Sequence, residues 1–70
     1  MEIKLYDTVI SVEEVDRIPV GTIGAVVEIW EEDKTSEIEF IDKNHKTIDC
    51  VTMKPSQFRK LSKEEIDKLN

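Results

Sequence analysis

Seventy residues allow one domain, and a chain this short buries only about 60% of the surface its unfolded form exposes. Nearly every apolar side chain is then needed for a single core, and little is left to wall off a buried active site. The net charge is −6, from 16 acidic and 10 basic residues. That balance disfavours a general nucleic-acid binder and an anionic membrane surface, and it makes any charge-selected partner a basic one. No apolar run reaches the roughly 18 residues of a membrane span. The start, Met1-Glu2-Ile3-Lys4-Leu5, has no long apolar stretch and no cleavage signal, and a lone Cys50 makes no internal disulfide, so a cytoplasmic location is expected.

In chain order, Asp7 to Val12 reads as the first strand, with Val9 apolar and Thr8 and Val9 β-branched. A polar loop, Glu13 to Gly21, follows. Pro19 in it pushes Ile18 toward extended geometry, and Ile18 and Val20 are expected to tuck back onto the core. Gly24 to Trp30 is the clearest strand. Its parity puts Ala25, Val27 and Ile29 inside and Val26, Glu28 and Trp30 outside. Gly24 suits a place where the backbone approaches another strand closely.

Glu31 to Thr35 is a polar turn, after which Ser36 to Ile41 alternates with Ile38 and Phe40 inward and Glu37 and Glu39 outward. A second turn, Asp42 to Lys46, gives Asn44 the left-handed position. Thr47 to Met53 is the fourth strand. Ile48 and Cys50 favour one inward face and Val51 and Met53 the other, and a bulge near Cys50 or Val51 would admit both pairs. Pro55 ends that strand, a single helical turn over Lys54 to Phe58 buries Phe58, and Arg59 to Leu61 forms a short closing strand. Ser62 and Glu65 then make a capping box, with Leu61 placed to staple onto Ile66 and with Ile66 and Leu69 on one face of a helix of about two turns.

Five short strands at about 10-residue spacing predict an all-β fold: a small five-stranded SH3-like β-barrel over residues 1–61, with a short C-terminal α-helix over 62–70 packed on it or fraying from it. The expected core is Val9, Ala25, Val27, Ile29, Ile38 and Phe40.

The stretch Pro19-Val20-Gly21-Thr22-Ile23-Gly24-Ala25-Val26-Val27-Glu28-Ile29 resembles the G-x-x-G-x-V-V-x-V pattern of KOW-type and other SH3-like barrels. The ordered series Lys4-Leu5-Tyr6-Asp7-Thr8-Val9, Gly21 to Ile29, Glu37-Ile38-Glu39-Phe40-Ile41-Asp42 and Thr52-Met53-Lys54-Pro55-Ser56-Gln57-Phe58-Arg59 is similar to the domain-of-unknown-function 4926 family of small prokaryotic proteins. The resemblance implies a fold and no activity. It leaves the helix outside.

For chemistry, His45 stands in a turn without an orienting partner or a nucleophile, and a metal site needs several convergent ligands. Cys50 has no second cysteine or histidine at metal spacing and is expected as a small buried hydrophobe. No catalytic residue, cofactor or metal is expected, and the chain is read as non-enzymatic. The strongest feature is the acidic run from Glu28 to Glu39, six acids (Glu28, Glu31, Glu32, Asp33, Glu37, Glu39) and one lysine. Glu28 and Glu39 are expected as cross-strand neighbours, where like charges repel and a basic surface would relieve them. A solvated outer face is the plain alternative. Trp30 is either an interface anchor, or covered by Ile66 and Leu69, or inside if the parity is wrong.

Two functional readings follow. One is a protein-interaction module, such as an antitoxin or immunity protein, that binds a protein with a basic surface through Glu28, Trp30, Glu31, Glu32, Asp33, Glu37 and Glu39. The other is a KOW-like nucleic-acid- or ribosome-associated module using Lys54, Arg59, Lys60 and Lys63, which the overall charge disfavours. The oligomeric state is not legible in the sequence.

Overall fold

A computed structural model describes residues 2–69; Met1 and Asn70, the outermost positions of the two expected segments, lie outside the described residues. The alternation of β-branched and polar residues produces five strands: β1 (Thr8–Ser11), β2 (Ile23–Trp30), β3 (Thr35–Ile41), β4 (Thr47–Met53) and β5 (Phe58–Lys60). A 3-10 turn over Pro55–Gln57 precedes β5, and helix α1 (Lys63–Asp67) follows it. All strand pairs are antiparallel in one sheet of order β4-β3-β2-β1-β5. The sheet is not closed, so β4 and β5 are its edges. No helix among the described residues is long and apolar enough to cross a membrane.

The core holds Val9, Ile18, Val26, Ile38, Phe40, Val51, Met53 and Phe58, with Leu61 also buried and Ile3, Val15 and Ile29 packed against the cluster in part. This corrects the expected inward set of β2. Val26 is buried, whereas Ala25 and Val27 are only partly so. The cause is a register shift between Val26 and Glu28, where Val27 is the extra residue. A bulge reverses the parity of the residues beyond it. Ahead of it Gly24 and Val26 face in, and after it Ile29 does, so Glu28 and Trp30 keep their expected outward side. Contacts outside the β2–β3 ladder hold this point: Tyr6 N–H donates to the Val26 carbonyl (2.6 Å) and Val26 N–H to the Asp7 carbonyl (3.0 Å).

β4 has a single inward pair, Val51 and Met53. Its irregularity lies at Ile48, because Phe40 pairs with Asp49 while Ile41 pairs with Thr47. Ile48 and Cys50 are therefore exposed, which corrects the buried reading of Cys50.

Gly24 stands where β2 and β3 close on each other. An added Cβ would lie 2.8 Å from the Glu39 carbonyl oxygen and from Ile38 Cγ2, and 2.9 Å from Phe40 Cδ1. The loop after β1 is tied to buried Ser11, whose hydroxyl donates to the Pro19 carbonyl (2.7 Å) and accepts from Thr22 N–H (3.0 Å). Ile18 seals that loop against the core, while Val20 points outward and stays exposed.

In the β3–β4 turn the left-handed residue is His45 (φ 63°), not the expected Asn44. Asp42 decides this. Its Oδ1 accepts from Asn44 N–H (2.8 Å) and Lys46 N–H (3.0 Å), and its carbonyl accepts from His45 N–H (3.0 Å). This is a type I turn followed by one left-handed residue, a common three-residue hairpin connection. The α1 cap forms as expected: Ser62 Oγ accepts from Glu65 N–H (3.1 Å), and Glu65 Oε1 accepts from Ser62 N–H (2.9 Å).

Candidate functional site

The β2–β3 hairpin presents the acidic residues on the face of the sheet turned away from the core. Glu28 is directly opposite Glu37, and Trp30 is opposite Thr35. Glu39 is opposite Ala25 on one side and Cys50 on the other. The expected Glu28–Glu39 pair is thus replaced by Glu28–Glu37, because the hairpin register sets Glu39 opposite Ala25 and the extra residue at Val27 then brings Glu28 to Glu37 in place of Ser36. The repulsive like-charge contact is present, with a different partner.

The neighbours soften it only in part. Thr47 Oγ1 donates to Glu39 Oε2 (2.5 Å), and Thr52 Oγ1 reaches Glu37 Oε1 at 3.5 Å. The ion pairs among the described residues are Arg59–Glu65 and Lys60–Asp7, and neither involves the hairpin acids. Glu31, Glu32 and Asp33 occupy the exposed connection from β2 to β3, where Lys34 takes a left-handed backbone (φ 56°) that leads into β3. Trp30 stands at the root of this turn and is 46% exposed. The helix does not cover it. Leu69 packs near Ile23 at the start of β2, and Trp30 is seven residues along the strand, roughly 23 Å away at about 3.3 Å per residue.

Cys50 lies between the acids on the same face. Desolvation pushes its thiol up first, and the charges of Glu39, Glu37 and Asp49 add to the effect, so the thiol is held in its neutral form. His45 is exposed in its turn. Among the described residues no three His, Cys, Asp or Glu side chains converge as metal ligands would.

Along the β5 edge of the sheet, the basic residues are partly spent. Arg59 makes a two-pronged contact with Glu65, at 3.1 and 2.8 Å. That hydrogen bond, with the Ser62 backbone donor next, lowers the Glu65 carboxyl to about 2, while the same carboxylate raises Arg59. Lys60 Nζ lies 3.3 Å from Asp7 Oδ2. Lys54 and Lys63 are left exposed.

One feature had no forecast in the residue pattern. A concave site of about 430 Å³ opens at the end of the outer face remote from Trp30, lined by Ile23, Ile41, Ile48 and Leu69 with Pro19 and His45. The strand parity of Ile23 and Ile41 is its only trace in the sequence. Ile48 belongs to one of the two inward faces that the sequence leaves open for the fourth strand.

All five strands fall within one family match. The model described as Domain of unknown function (DUF4926) matches residues 5–60. The chain belongs to that family. In this member of the DUF4926 family, the matched span runs from just before β1 to the last residue of β5, and α1 and the Glu65 partner of Arg59 lie outside it. No curated protein and no solved structure matches the chain.

Proposed function

We propose that this DUF4926 protein is a non-enzymatic interaction module that binds a protein with a basic surface through the β2–β3 hairpin. The observation that carries the reading is the pairing of a half-exposed Trp30 with acids that make no ion pair among the described residues. The Glu28–Glu37 pair stands on one side of Trp30 and Glu31, Glu32 and Asp33 on the other. A like-charge pair is repulsive in the free protein and is relieved by an arriving cation. An aromatic anchor within a charged surround is a common arrangement at interfaces, and a negative surface speeds encounter with a basic one. An antitoxin or immunity protein that masks a basic, nucleic-acid-directed toxin is one form of such a module.

The reading includes the finer architecture, an SH3-type barrel in which the sheet curls on itself. Two features support it: the order β5-β1-β2-β3-β4, which places the last strand beside the first, and the 3-10 turn between β4 and β5. The alternative, a KOW-like nucleic-acid module, is weakened by the engagement of Arg59 and Lys60 with carboxylates, since phosphate binding rests on free cations.

The test is affinity capture by the wild type and by a Glu31→Lys/Glu32→Lys/Asp33→Lys variant, followed by titration of the captured protein over a salt series. Binding should weaken with salt and collapse in the variant. A variant that binds as the wild type does, or a captured partner without a basic surface, ends the reading. In the free protein, Trp30 fluorescence should be quenched more by caesium than by iodide, because carboxylates surround the ring.

A further inference from the structure

The face that carries the acids is not uniform, and its asymmetry has a regular spacing. At one end is the apolar concavity, whose volume of about 430 Å³ falls in the roughly 300–1,000 Å³ range of ligand sites. Two of its walls, Ile48 and Leu69, are large apolar side chains that are 48% and 51% exposed. From Ile41 in that wall, the outward positions of β3 run Glu39, Glu37, Thr35, with Ala25, Glu28 and Trp30 opposite them on β2. Each step of two residues is roughly 6.6–7 Å. Lys43 lines the concavity at the apolar end, and the turn acids, with Lys34 after them, stand at the other.

We infer that this face binds an extended segment of the partner in which one large apolar residue is followed, at every second position, by basic residues. The inference rests on the reading of a basic partner and adds its local sequence chemistry. The apolar side chain fills the concavity between Ile48 and Leu69. The next outward residue reaches Glu39, the one after it reaches the Glu37–Glu28 pair, and the third lies over the Trp30 ring beside Glu31, where a cation gains from the ring face as well. An extended chain repeats its side chains at the period of the strand beneath it, so successive bases meet successive acids in register. Lys43 disfavours a base at the apolar end, which fixes where the bases must lie relative to the anchor.

Two other occupants fit less well. A second copy of this chain would bring carboxylates against carboxylates. Strand addition at the β4 edge is opposed by Asp49, whose Oδ1 already accepts Cys50 N–H at 2.8 Å. A carboxylate at an edge is one of the ways such an edge is blunted.

The experiment uses the full chain and labelled heptapeptides, Phe-Ser-Lys-Ser-Lys-Ser-Lys and the same residues in reverse order, read by fluorescence anisotropy at low salt. One of the two should bind at least tenfold more tightly than its counterpart with Ser in place of Phe. That advantage should vanish in an Ile48→Ser/Leu69→Ser variant, whose altered residues are half exposed and whose fold is checked by circular dichroism, while salt sensitivity persists. Equal binding of the Phe and Ser peptides overturns the inference and leaves the basic-partner reading standing. Absence of binding by every peptide overturns it too, as does sedimentation showing a dimer that closes the concavity. Salt-insensitive binding, or binding unchanged by the triple charge reversal, instead overturns the underlying reading.

Discussion

Replacing Gly24 by alanine would set a methyl group 2.8 Å from the Glu39 carbonyl oxygen, 2.8 Å from Ile38 Cγ2 and 2.9 Å from Phe40 Cδ1. Comfortable contacts between such atoms begin near 3.5 Å, so each is short by about 0.6–0.7 Å. Two of the three neighbours are fully buried core side chains and the other is backbone in the central β2–β3 pair, so none can swing into solvent. Relief requires β2 and β3 to part or Phe40 to leave its rotamer. Overpacking of this kind costs about 1–3 kcal/mol, and the lower chain entropy of alanine returns only about 0.4–1 kcal/mol of it. A domain of this size holds roughly 3–10 kcal/mol in total. A net loss of about 1–2 kcal/mol lowers Tm by about 4–8 °C per kcal/mol. Urea and thermal unfolding followed by circular dichroism measure it. A Gly24→Ala protein that melts at or above the wild-type temperature would refute the close approach of the two strands at this point. Gly21→Ala supplies a useful contrast, since nothing crowds its Cβ and only its positive φ (91°) opposes the change.

Three further outcomes follow from the same structure. Met53→Ala should cost about 2–5 kcal/mol, whereas Cys50→Ala should stay within about 0.5 kcal/mol; chemical denaturation of both variants checks the β4 register, and the reverse order would show it wrong. His45→Gly should gain about 0.5–1 kcal/mol by relieving a left-handed backbone, while Asn44→Gly should gain nothing; equal effects in thermal melts would place the left-handed residue elsewhere. Glu65 has a folded value of about 2, below the ordinary carboxylate value of 4.5. Its support of α1 is therefore complete above about pH 4.5 and is lost as the pH falls toward 2. Protection of the α1 amides, measured against their intrinsic exchange rates at each pH, should fall over that window and lose the dependence in Glu65→Gln; protection that stays constant across the window in the wild type would remove the Arg59–Glu65 link from the account.

The local features proved the most legible. The helix cap needed only Ser62 and Glu65 three residues apart, because both hydrogen bonds close within one turn. The 3-10 turn and the burial of Phe58 followed from Pro55, and the close approach at Gly24 followed from a glycine inside a strand pattern. The acidic hairpin was legible as well, since charge needs no geometry to be counted. The Asp42 turn was half legible: its position was right, but the left-handed residue depends on which backbone N–H groups the Asp42 carboxylate captures.

From sequence alone, then, this protein was already determined to be a small, acidic, mostly β chain of five strands with a capped helix, carrying Glu37 and Glu39 on the face opposite Ile38 and Phe40. Only the tertiary structure decided that Val26 and not Val27 enters the core, that Cys50 and Ile48 face out, that Glu28 meets Glu37, and that Trp30 stands uncovered while Leu69 helps to wall a separate apolar concavity. The first three share one physical reason, and the fourth follows from where the helix docks. A period-of-two reading assumes an unbroken pleat, and one extra residue reverses every side chain beyond it. Where that residue sits is set by partners distant in the chain, Tyr6 and Asp7 for β2 and Phe40 and Ile41 for β4. No local pattern encodes those pairings.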